Sequence, residues 1–308
     1  MDLKGQHILS AAQFDKKTLL DLFKKAQEME KILNSKGQSD LAFGKLMATL
    51  FFEPSTRTRF SFETAMLRLG GRVISNADML KTSSAMKMES LEDTGKTVSQ
   101  MADVTVMRHP ETGSVAKLAG KSDVPVINAG DGSAQHPTQA LLDVYTIWKS
   151  FGKLDELTVG MVGDLKNGRV PHSQCELLKQ FDVNFIFVSP EGLKMPREIV
   201  TELQDGGHYV EEVSELKVVI SKMDVIAMTR VQKERFENEK EYGKYAGSYV
   251  LNSDMMTKAK NNAIIIHPLP RVDEISAEID NDPRAKYFEQ VKNGVAIRMA
   301  LIAEVLGL

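Results

Sequence analysis

Residues 46–63 read LMATLFFEPSTRTRFSFE, an apolar run followed directly by hydroxyl and guanidinium side chains. The run LMATLFF (46–52) has the composition of a buried strand, and Pro54 with a hydroxyl residue behind it is typical of a helix start. The amide groups at a helix start attract anions. An ordinary capped helix with exposed arginines needs one hydroxyl, whereas residues 55–59 supply three hydroxyls and two arginines. The junction therefore predicts an anion site at the end of a strand.

Short strand-like runs alternate with helix-like segments along the whole chain. The runs are LMATLFF (46–52), RVIS (72–75), DVTVMR (103–108), PVINAG (125–130), LTVGMVG (157–163), VNFIFVS (183–189), VIAMT (225–229) and NAIIIH (262–267). This βαβα order is typical of parallel sheets covered by helices, and it restarts after the helical segment 136–151. We expect an α/β fold of two domains, each a parallel β-sheet flanked by helices, joined by long helices. The last helical segment, 288–307, is compatible with either domain.

Composition limits the classes of function. The chain has 308 residues, 42% of them hydrophobic, with a formal net charge of -3 and a pI near 6.1. This balance gives no overall attraction to nucleic acid or anionic lipid. No run approaches the roughly 18 apolar residues of a membrane span, and the N-terminal MDLKGQHIL lacks the pattern of a signal peptide. We expect a cytoplasmic protein with no nucleic-acid or membrane partner.

The sequence offers little support for a metal or cofactor. Cys175 is the single cysteine, which excludes an intramolecular disulfide and a cysteine-rich zinc site. A lone cysteine can be a nucleophile, but the surrounding HSQCELLKQF has a helix pattern that favours a buried structural thiol. The six histidines form no HExxH pair, and neither GxGxxG nor GxxxxGK[ST] occurs. We therefore expect no metal and no cofactor.

Cationic and hydrogen-bonding residues lie at or just after the carboxyl ends of several predicted strands, where open α/β sheets bind ligands. They are Arg108, then His136 and Gln139 in the first half, and Arg169, Arg230, Gln232, His267 and Arg271 in the second, where Leu269 and Pro270 occupy the same edge. A histidine at a helix start is often structural, but His136 would share a sheet edge with two arginine sites. Paired carboxylates and a serine elbow are missing, so the pattern indicates a site that orients anions and stabilises developing negative charge. Group transfer from a phosphorylated donor fits this set of residues.

Six motifs between residues 54 and 275 closely resemble the catalytic chains of the aspartate carbamoyltransferase family. They are PSTRTR, MRHP, GDGSAQHPTQALLD, GDLKNGR, TRVQKER and HPLPRVDEI, in this order. STRTR and HPTQ are shared with ornithine carbamoyltransferases, but TRVQ and HPLPR stand where those enzymes show SMG and HCLP. The resemblance implies transfer from carbamoyl phosphate to L-aspartate, giving N-carbamoyl-L-aspartate and phosphate, an early step of de novo pyrimidine biosynthesis. It also implies a carbamoyl-phosphate-binding domain (1–137 plus 288–308) and an aspartate-binding domain (138–287).

The resemblance assigns roles toward the donor. Ser55, Thr56, Arg57 and Thr58 would hold the phosphate of carbamoyl phosphate, and Arg108 would reach both phosphate and carbonyl. The carbonyl oxygen would be polarised by Thr58, Arg108 and His136, the catalytic group. Gln139 would place the carbamoyl amino group, and the backbone of Leu269 and Pro270 would contact the carbamoyl group or the amine. The phosphate itself would accept the amine proton, which agrees with the missing protein base.

The acceptor half is assigned in the same way. Arg169, Arg230 and Gln232 would bind the two carboxylates of aspartate, a role suited to the guanidinium fork. The segment SSAMKMESLEDT (83–94) matches the family loop that enters a neighbouring subunit's site, so Ser83 and Lys87 would act across an interface, Lys87 on aspartate. The implied assembly is a homotrimer with shared active sites, and the sequence leaves a regulatory chain open as a further partner.

Two positions depart from the family pattern. Met88 replaces the usual glycine after Lys87, and since methionine adopts a positive φ less easily, a different loop path is expected there. Pro171 falls just inside the helix that begins near Arg169, where the first turn tolerates proline.

Two alternatives remain. A transcarbamoylase with another amino acceptor is distinguished by whether Arg230 and Gln232 select a dicarboxylate. A catalytically silent relative that binds anions or serves as a scaffold would have lost parts of STRTR, HPTQ or the acceptor arginines, and all of these are present.

Overall fold

The computed structural model describes residues 2–79, 88–132, 135–231, 236 and 238–308. The chain divides into two compact units, Met1–Tyr145 together with Val291–Leu308, and Thr146–Gln290. Each unit contains a parallel sheet flanked by helices, which confirms the predicted α/β fold. The C-terminal segment thus belongs mainly with the first unit.

The first unit has a four-stranded parallel sheet in the order β2-β1-β3-β4. Its strands are β1 (Leu46–Phe51), β2 (Arg72–Ala77), β3 (Val104–His109) and β4 (Val126–Asp131), and its helices include α1 (Lys16–Ser35), α2 (Thr56–Arg68), α3 (Leu91–Ser99) and α4 (Ser114–Ala119). The three strands β1, β3 and β4 are almost wholly buried, whereas β2 is an edge strand without a fully buried residue.

The second unit has a five-stranded parallel sheet in the order β7-β6-β5-β8-β9. Its strands are β5 (Leu157–Val162), β6 (Val183–Val188), β7 (Val210–Val213), β8 (Val225–Met228) and β9 (Ile264–Ile266), and its helices include α6 (Arg169–Leu178), α7 (Arg197–Asp205), α8 (Glu239–Tyr242) and α9 (Ser253–Met256). Helices α5 (Pro137–Phe151) and α10 (Tyr287–Leu306) contribute residues to both units. All eight predicted strands are confirmed.

Strand β7 was not predicted from the sequence. It has only four residues, VEEV, and two of them are glutamates at the edge of the sheet. An edge strand with one solvated face needs no continuous apolar run, so its hydrophobic signal is weak.

Local chemistry explains where two helices begin. The Asp15 carboxylate accepts a hydrogen bond from the Thr18 N–H at 2.7 Å and caps α1. The Ser90 hydroxyl accepts one from the Asp93 N–H at 3.0 Å and caps α3. Such caps satisfy amide groups that have no partner within the helix itself. None of the helices in the described part of the chain combines the length and the apolar character that crossing a bilayer requires.

Each sheet reverses its strand order at one point. In the first unit the reversal falls between β1 and β3, and in the second it falls between β5 and β8. Ligands of open α/β sheets bind beyond the carboxyl ends of the strands at such a point. The topology therefore points to the segments that follow these four strands.

Candidate active site

The junction after β1 forms the first part of the candidate donor site. Helix α2 begins at Thr56, and Ser55 occupies the N-cap position without making a side-chain capping bond. The Ser55 hydroxyl instead accepts a hydrogen bond from Arg108 Nη1 at 3.1 Å. The predicted helix start is confirmed, but capping is not the role of Ser55. Its hydroxyl and the first amides of α2 thus lie beside a guanidinium group.

Arg108 lies near the carboxyl end of β3, directly opposite Phe51 of β1. Its Nε donates to the Glu53 carboxylate at 2.5 Å, and its side chain is only 16% exposed. Glu53 therefore fixes the orientation of the Arg108 guanidinium, whose Nη1 donates to the Ser55 hydroxyl. Glu53 directly precedes the PSTRTR motif in the sequence, but it was not predicted as a site residue.

The remaining members of the motif occupy the first turn of α2. Thr58 is buried, with 8% of its surface exposed, whereas Thr56 and Arg57 are exposed. Arg59 points elsewhere, because its Nε lies 3.6 Å from Glu63 and its guanidinium lies over the Phe60 ring. The motif therefore divides into Thr56, Arg57 and Thr58, which follow Ser55 in the first turn of α2, and Arg59, which is engaged on the helix surface.

His136 and Gln139 lie at the start of α5, which follows β4, the neighbour of β3 in the sheet. His136 is 5% exposed, and its carbonyl accepts the amide hydrogens of Gln139 and Ala140 at 3.1 Å. The Gln139 Nε2 donates to the buried Asp143 carboxylate at 2.8 Å. Because a carboxylate only accepts, the amide oxygen of Gln139 faces away from Asp143 and is oriented to accept a hydrogen bond. This orientation suits a carbamoyl amino group.

Arg169 is the first residue of α6 and directly follows the loop after β5. The loop is held by Asp164, whose Oδ1 accepts hydrogen bonds from the Asn167 backbone N–H at 3.0 Å and from its Nδ2 at 3.2 Å. Pro171 lies in the first turn of the helix, as predicted, where no intrahelical N–H is lost. Arg169 is therefore placed at the switch point between β5 and β8.

Gly163 is required where the ends of β5 and β8 approach. A Cβ atom at this position would lie 2.0 Å from the Thr229 carbonyl oxygen, and the backbone has a φ of 125°. Both conditions exclude other residues without a backbone shift. The close approach brings the segment leading to Arg169 beside the one leading to Arg230.

Arg230 follows β8 and lines an open cavity of the second unit. The other lining residues are Gly163, Thr229, Val231, Tyr242, Ala246, Gly247, Ser248, Tyr249, Val272, Asp273 and Glu274. The cavity therefore combines one guanidinium with hydroxyl groups and two acidic residues. An anion held here has Arg230 as its cationic partner among these lining residues.

Leu269 and Pro270 lie in the loop after β9, the neighbour of β8. Leu269 has a φ of 54°, a left-handed conformation that is uncommon for a residue with a side chain. Arg271 is turned to the protein itself, since its Nη2 donates to Asp280 at 2.6 Å and its guanidinium lies over the Tyr287 ring. The loop thus presents backbone rather than charge.

Three predicted site residues, Ser83, Lys87 and Gln232, lie outside the described residues. The different loop path expected at Met88 stays a prediction, because residues 80–87 lie outside the described residues. Met88 is 93% exposed and adopts a φ of 64°, the conformation expected of the glycine that it replaces. A positive φ brings the Cβ close to the residue's own backbone, so the exposed side chain does not remove this cost.

Cys175 is a buried structural thiol, as predicted. It is 2% exposed, and its Sγ lies 3.7 Å from the sulfur of Met161. Burial raises the pKa of the thiol far above its ordinary value. Since the thiolate is the reactive form, the native protein should react with a disulfide reagent orders of magnitude more slowly than free cysteine. Spectroscopic titration before and after denaturation tests this, and rapid labelling of the native protein would contradict it.

Family models match both halves of the chain. The model of the aspartate/ornithine carbamoyltransferase carbamoyl-P binding domain matches residues 6–149, and that of the Asp/Orn binding domain matches residues 155–305. The aspartate carbamoyltransferase catalytic subunit of Thermococcus kodakarensis is 52% identical over 307 residues, which cover 100% of this chain and 99% of the relative.

Solved structures give the same result. Aspartate transcarbamoylase from Trypanosoma cruzi in complex with carbamoyl phosphate and aspartate is 38% identical, with a TM-score of 0.94 over 99% of this chain and 98% of the other. The catalytic subunit of M. Jannaschii aspartate transcarbamoylase is 45% identical, with a TM-score of 0.92 over 98% of each chain. The chain therefore belongs to the aspartate/ornithine carbamoyltransferase family.

Proposed function

We propose that the protein is an aspartate carbamoyltransferase, which transfers the carbamoyl group of carbamoyl phosphate to L-aspartate. The observation that carries this proposal is the position of the arginines at the switch points of the two sheets. Arg108 lies beside Ser55 and the start of α2 in the first unit, while Arg169 and Arg230 follow β5 and β8 in the second. The first set suits a phosphate and the second suits a dicarboxylate.

The donor set binds carbamoyl phosphate and polarises its carbonyl. Ser55, Thr56, Arg57 and Thr58 bind the phosphate at the start of α2, where the helix dipole favours negative charge. The carbonyl oxygen accepts hydrogen bonds from Arg108, Thr58 and His136, and it gains charge as the tetrahedral intermediate forms. Donors already fixed by Glu53 and by burial need little reorganisation, which is how such groups lower a barrier.

The acceptor set binds aspartate as a dicarboxylate. Arg169, Arg230 and Gln232 hold its two carboxylates, so that the neutral amine attacks the carbonyl carbon. A carbon–nitrogen bond forms, the bond between that carbon and the phosphate oxygen breaks, and the amine proton passes to the departing phosphate. Gln139 accepts a hydrogen bond from the carbamoyl amino group during this step.

The deciding experiment supplies the purified protein with carbamoyl phosphate and either L-aspartate or L-ornithine. We expect phosphate release and N-carbamoyl-L-aspartate with aspartate, and no citrulline with ornithine. Product with ornithine alone would favour the alternative acceptor, and no product with either would favour a silent anion-binding relative. N-(phosphonacetyl)-L-aspartate, with which the T. cruzi relative was crystallised, serves as the competitive control.

We further propose a cytoplasmic homotrimer whose sites are shared between neighbouring subunits. Exposed apolar side chains on the first unit support an interface between copies. Phe60 and Leu67 are 52% and 55% exposed and lie seven residues apart on one face of α2, and Ile74 is 42% exposed on the edge strand β2. Exposed apolar side chains on one helix face and an adjacent edge strand are typical of contact surfaces.

Mixing two inactive variants tests the shared sites. Arg57→Ala removes a phosphate ligand and Lys87→Ala removes the residue assigned across the interface, so each homotrimer should be inactive. In randomly mixed trimers about a quarter of the sites receive Arg57 from one subunit and Lys87 from its neighbour, and activity should recover to about that fraction. Reassembly of equimolar variants followed by the carbamoyl transfer assay measures it. Mixed trimers that stay inactive would contradict a role for Lys87 across the interface.

A further inference from the structure

His267 and Glu274 form a buried pair beneath the loop that carries Leu269 and Pro270. The His267 Nε2 lies 2.7 Å from Glu274 Oε1, and their side chains are 1% and 7% exposed. The backbone N–H of His267 donates to Gln290 Oε1 at 2.8 Å, which anchors the end of β9 to α10 within the second unit. Neither residue has a role in the proposed reaction so far.

Hydrogen-bond directions determine which nitrogen of the His267 ring carries the proton. The Leu269 backbone N–H donates to His267 Nδ1 at 2.8 Å, so this nitrogen carries a lone pair. The proton of the neutral ring is then on Nε2, where it is donated to the Glu274 carboxylate. A doubly protonated ring has no acceptor at Nδ1 and would release the Leu269 amide. The neutral ring therefore holds Leu269 on one side and Glu274 on the other.

Glu274 closes the loop from its other end. Its Oε2 accepts hydrogen bonds from the backbone N–H groups of Val272 and Asp273, each at 3.1 Å. Burial by itself raises the pKa of this carboxyl, but the hydrogen bonds from His267 and the backbone outweigh burial, so its pKa lies below the usual value. The carboxylate is thus ionised, and it can accept from all three donors.

The pair of His267 and Glu274 helps to hold Leu269 in an unfavourable backbone conformation. A φ of 54° brings the Cβ of an L-residue close to its own backbone, and such a residue persists only when its surroundings hold it. The Leu269 side chain packs against the core of the second unit, while its amide is held by His267. The direction of the Leu269 and Pro270 backbone therefore depends on the ring.

We propose that His267 and Glu274 are positioning residues for carbamoyl transfer, holding the backbone of Leu269 and Pro270 in the direction that meets the carbamoyl group. This role rests on the proposed function, which assigns that backbone to the carbamoyl group or the amine. It predicts that disturbing the ring affects turnover more than binding of phosphate, because the phosphate ligands belong to the first unit. It also predicts that the acceptor at Nδ1 matters more than the contact at Nε2.

Two amide variants separate the two ring nitrogens. The carbonyl of asparagine can accept from the N–H two residues onward, as Nδ1 does, so His267→Asn should keep kcat within about fivefold of the unmodified protein. The longer glutamine reaches the position of Nε2 and leaves the Leu269 amide unheld, so His267→Gln should lower kcat by about 100-fold, the cost of a small misplacement near the reacting atoms. Both variants keep a polar group in the buried site.

The measurements are kcat with saturating substrates, phosphate affinity by calorimetry, and hydrogen–deuterium exchange of the peptide that contains Leu269. His208→Ala is the control, because its ring contacts the Val183 and Lys179 carbonyls elsewhere in the same unit. Faster exchange with unchanged phosphate affinity is expected only for His267→Gln. Equal kcat for the two His267 variants would overturn the positioning role alone, whereas an unmodified protein that forms no N-carbamoyl-L-aspartate would overturn the proposed function as well.

Discussion

Replacing Arg108 with alanine is expected to lower kcat/KM for carbamoyl transfer by about 1,000-fold or more. The change removes a guanidinium that contacts Ser55 at 3.1 Å and that the proposal aims at both phosphate and carbonyl. It also leaves the Glu53 carboxylate beside the phosphate site without the cation at 2.5 Å that now neutralises it. Steady-state kinetics with carbamoyl phosphate varied, together with calorimetric titration of phosphate, would measure both losses.

Two further variants separate these causes. In the Arg108→Ala background, Glu53→Gln should recover part of the phosphate affinity, because it removes the uncompensated negative charge, but it should not recover kcat. Arg72→Ala is a matched control, since Arg72 is an exposed arginine at the amino end of β2 in the same sheet. It should stay within about twofold of the unmodified protein. An Arg108→Ala variant with normal phosphate affinity and normal kcat would refute the donor assignment.

The fold and the positions of the candidate donor residues at strand ends could be predicted largely from the sequence, because their signals are local. Apolar runs alternate with helical patterns at short spacing, and the βαβ order determines that the strands are parallel. PSTRTR places hydroxyl and guanidinium groups on consecutive residues at a helix start, so one strand end suffices to recognise a candidate anion site. Arg108 lies near the carboxyl end of β3 and His136 follows the neighbouring β4, and the carboxyl ends of parallel strands share one edge.

The contacts that the sequence did not predict join residues far apart or depend on one backbone angle. Glu53 acquires its role only because β3 brings Arg108 beside it, 55 positions along the chain. The pairing of His267 with Glu274 requires the loop between them to fold back on itself. Met88 adopts a positive φ of 64°, which residue type alone does not reveal. The periodicity of apolar side chains does not reveal such long-range contacts or the backbone angle of a single residue.

Replacing Arg169 with alanine is expected to lower kcat/KM for aspartate by about 100-fold or more, since a carboxylate loses a charge-assisted, two-pronged partner. Phosphate affinity should not change, because Arg169 belongs to the second unit and the proposed phosphate ligands to the first. The variant should therefore need more aspartate to reach a given rate, while the dependence of the rate on the carbamoyl phosphate concentration stays unchanged. Initial rates with each substrate varied in turn, together with phosphate titration, distinguish these outcomes.

Arg197 supplies the control for this prediction. It is also the first residue of a helix in the second unit, α7, but it is 72% exposed and lies 3.6 Å from Glu212. An exposed ion pair of this kind contributes little, so Arg197→Ala should leave both substrate dependences within about twofold. The comparison holds residue type, helix position and unit constant, while the two arginines differ in exposure and in whether they follow β5 at the switch point. Equal aspartate dependence in the two variants would show that Arg169 does not bind the acceptor.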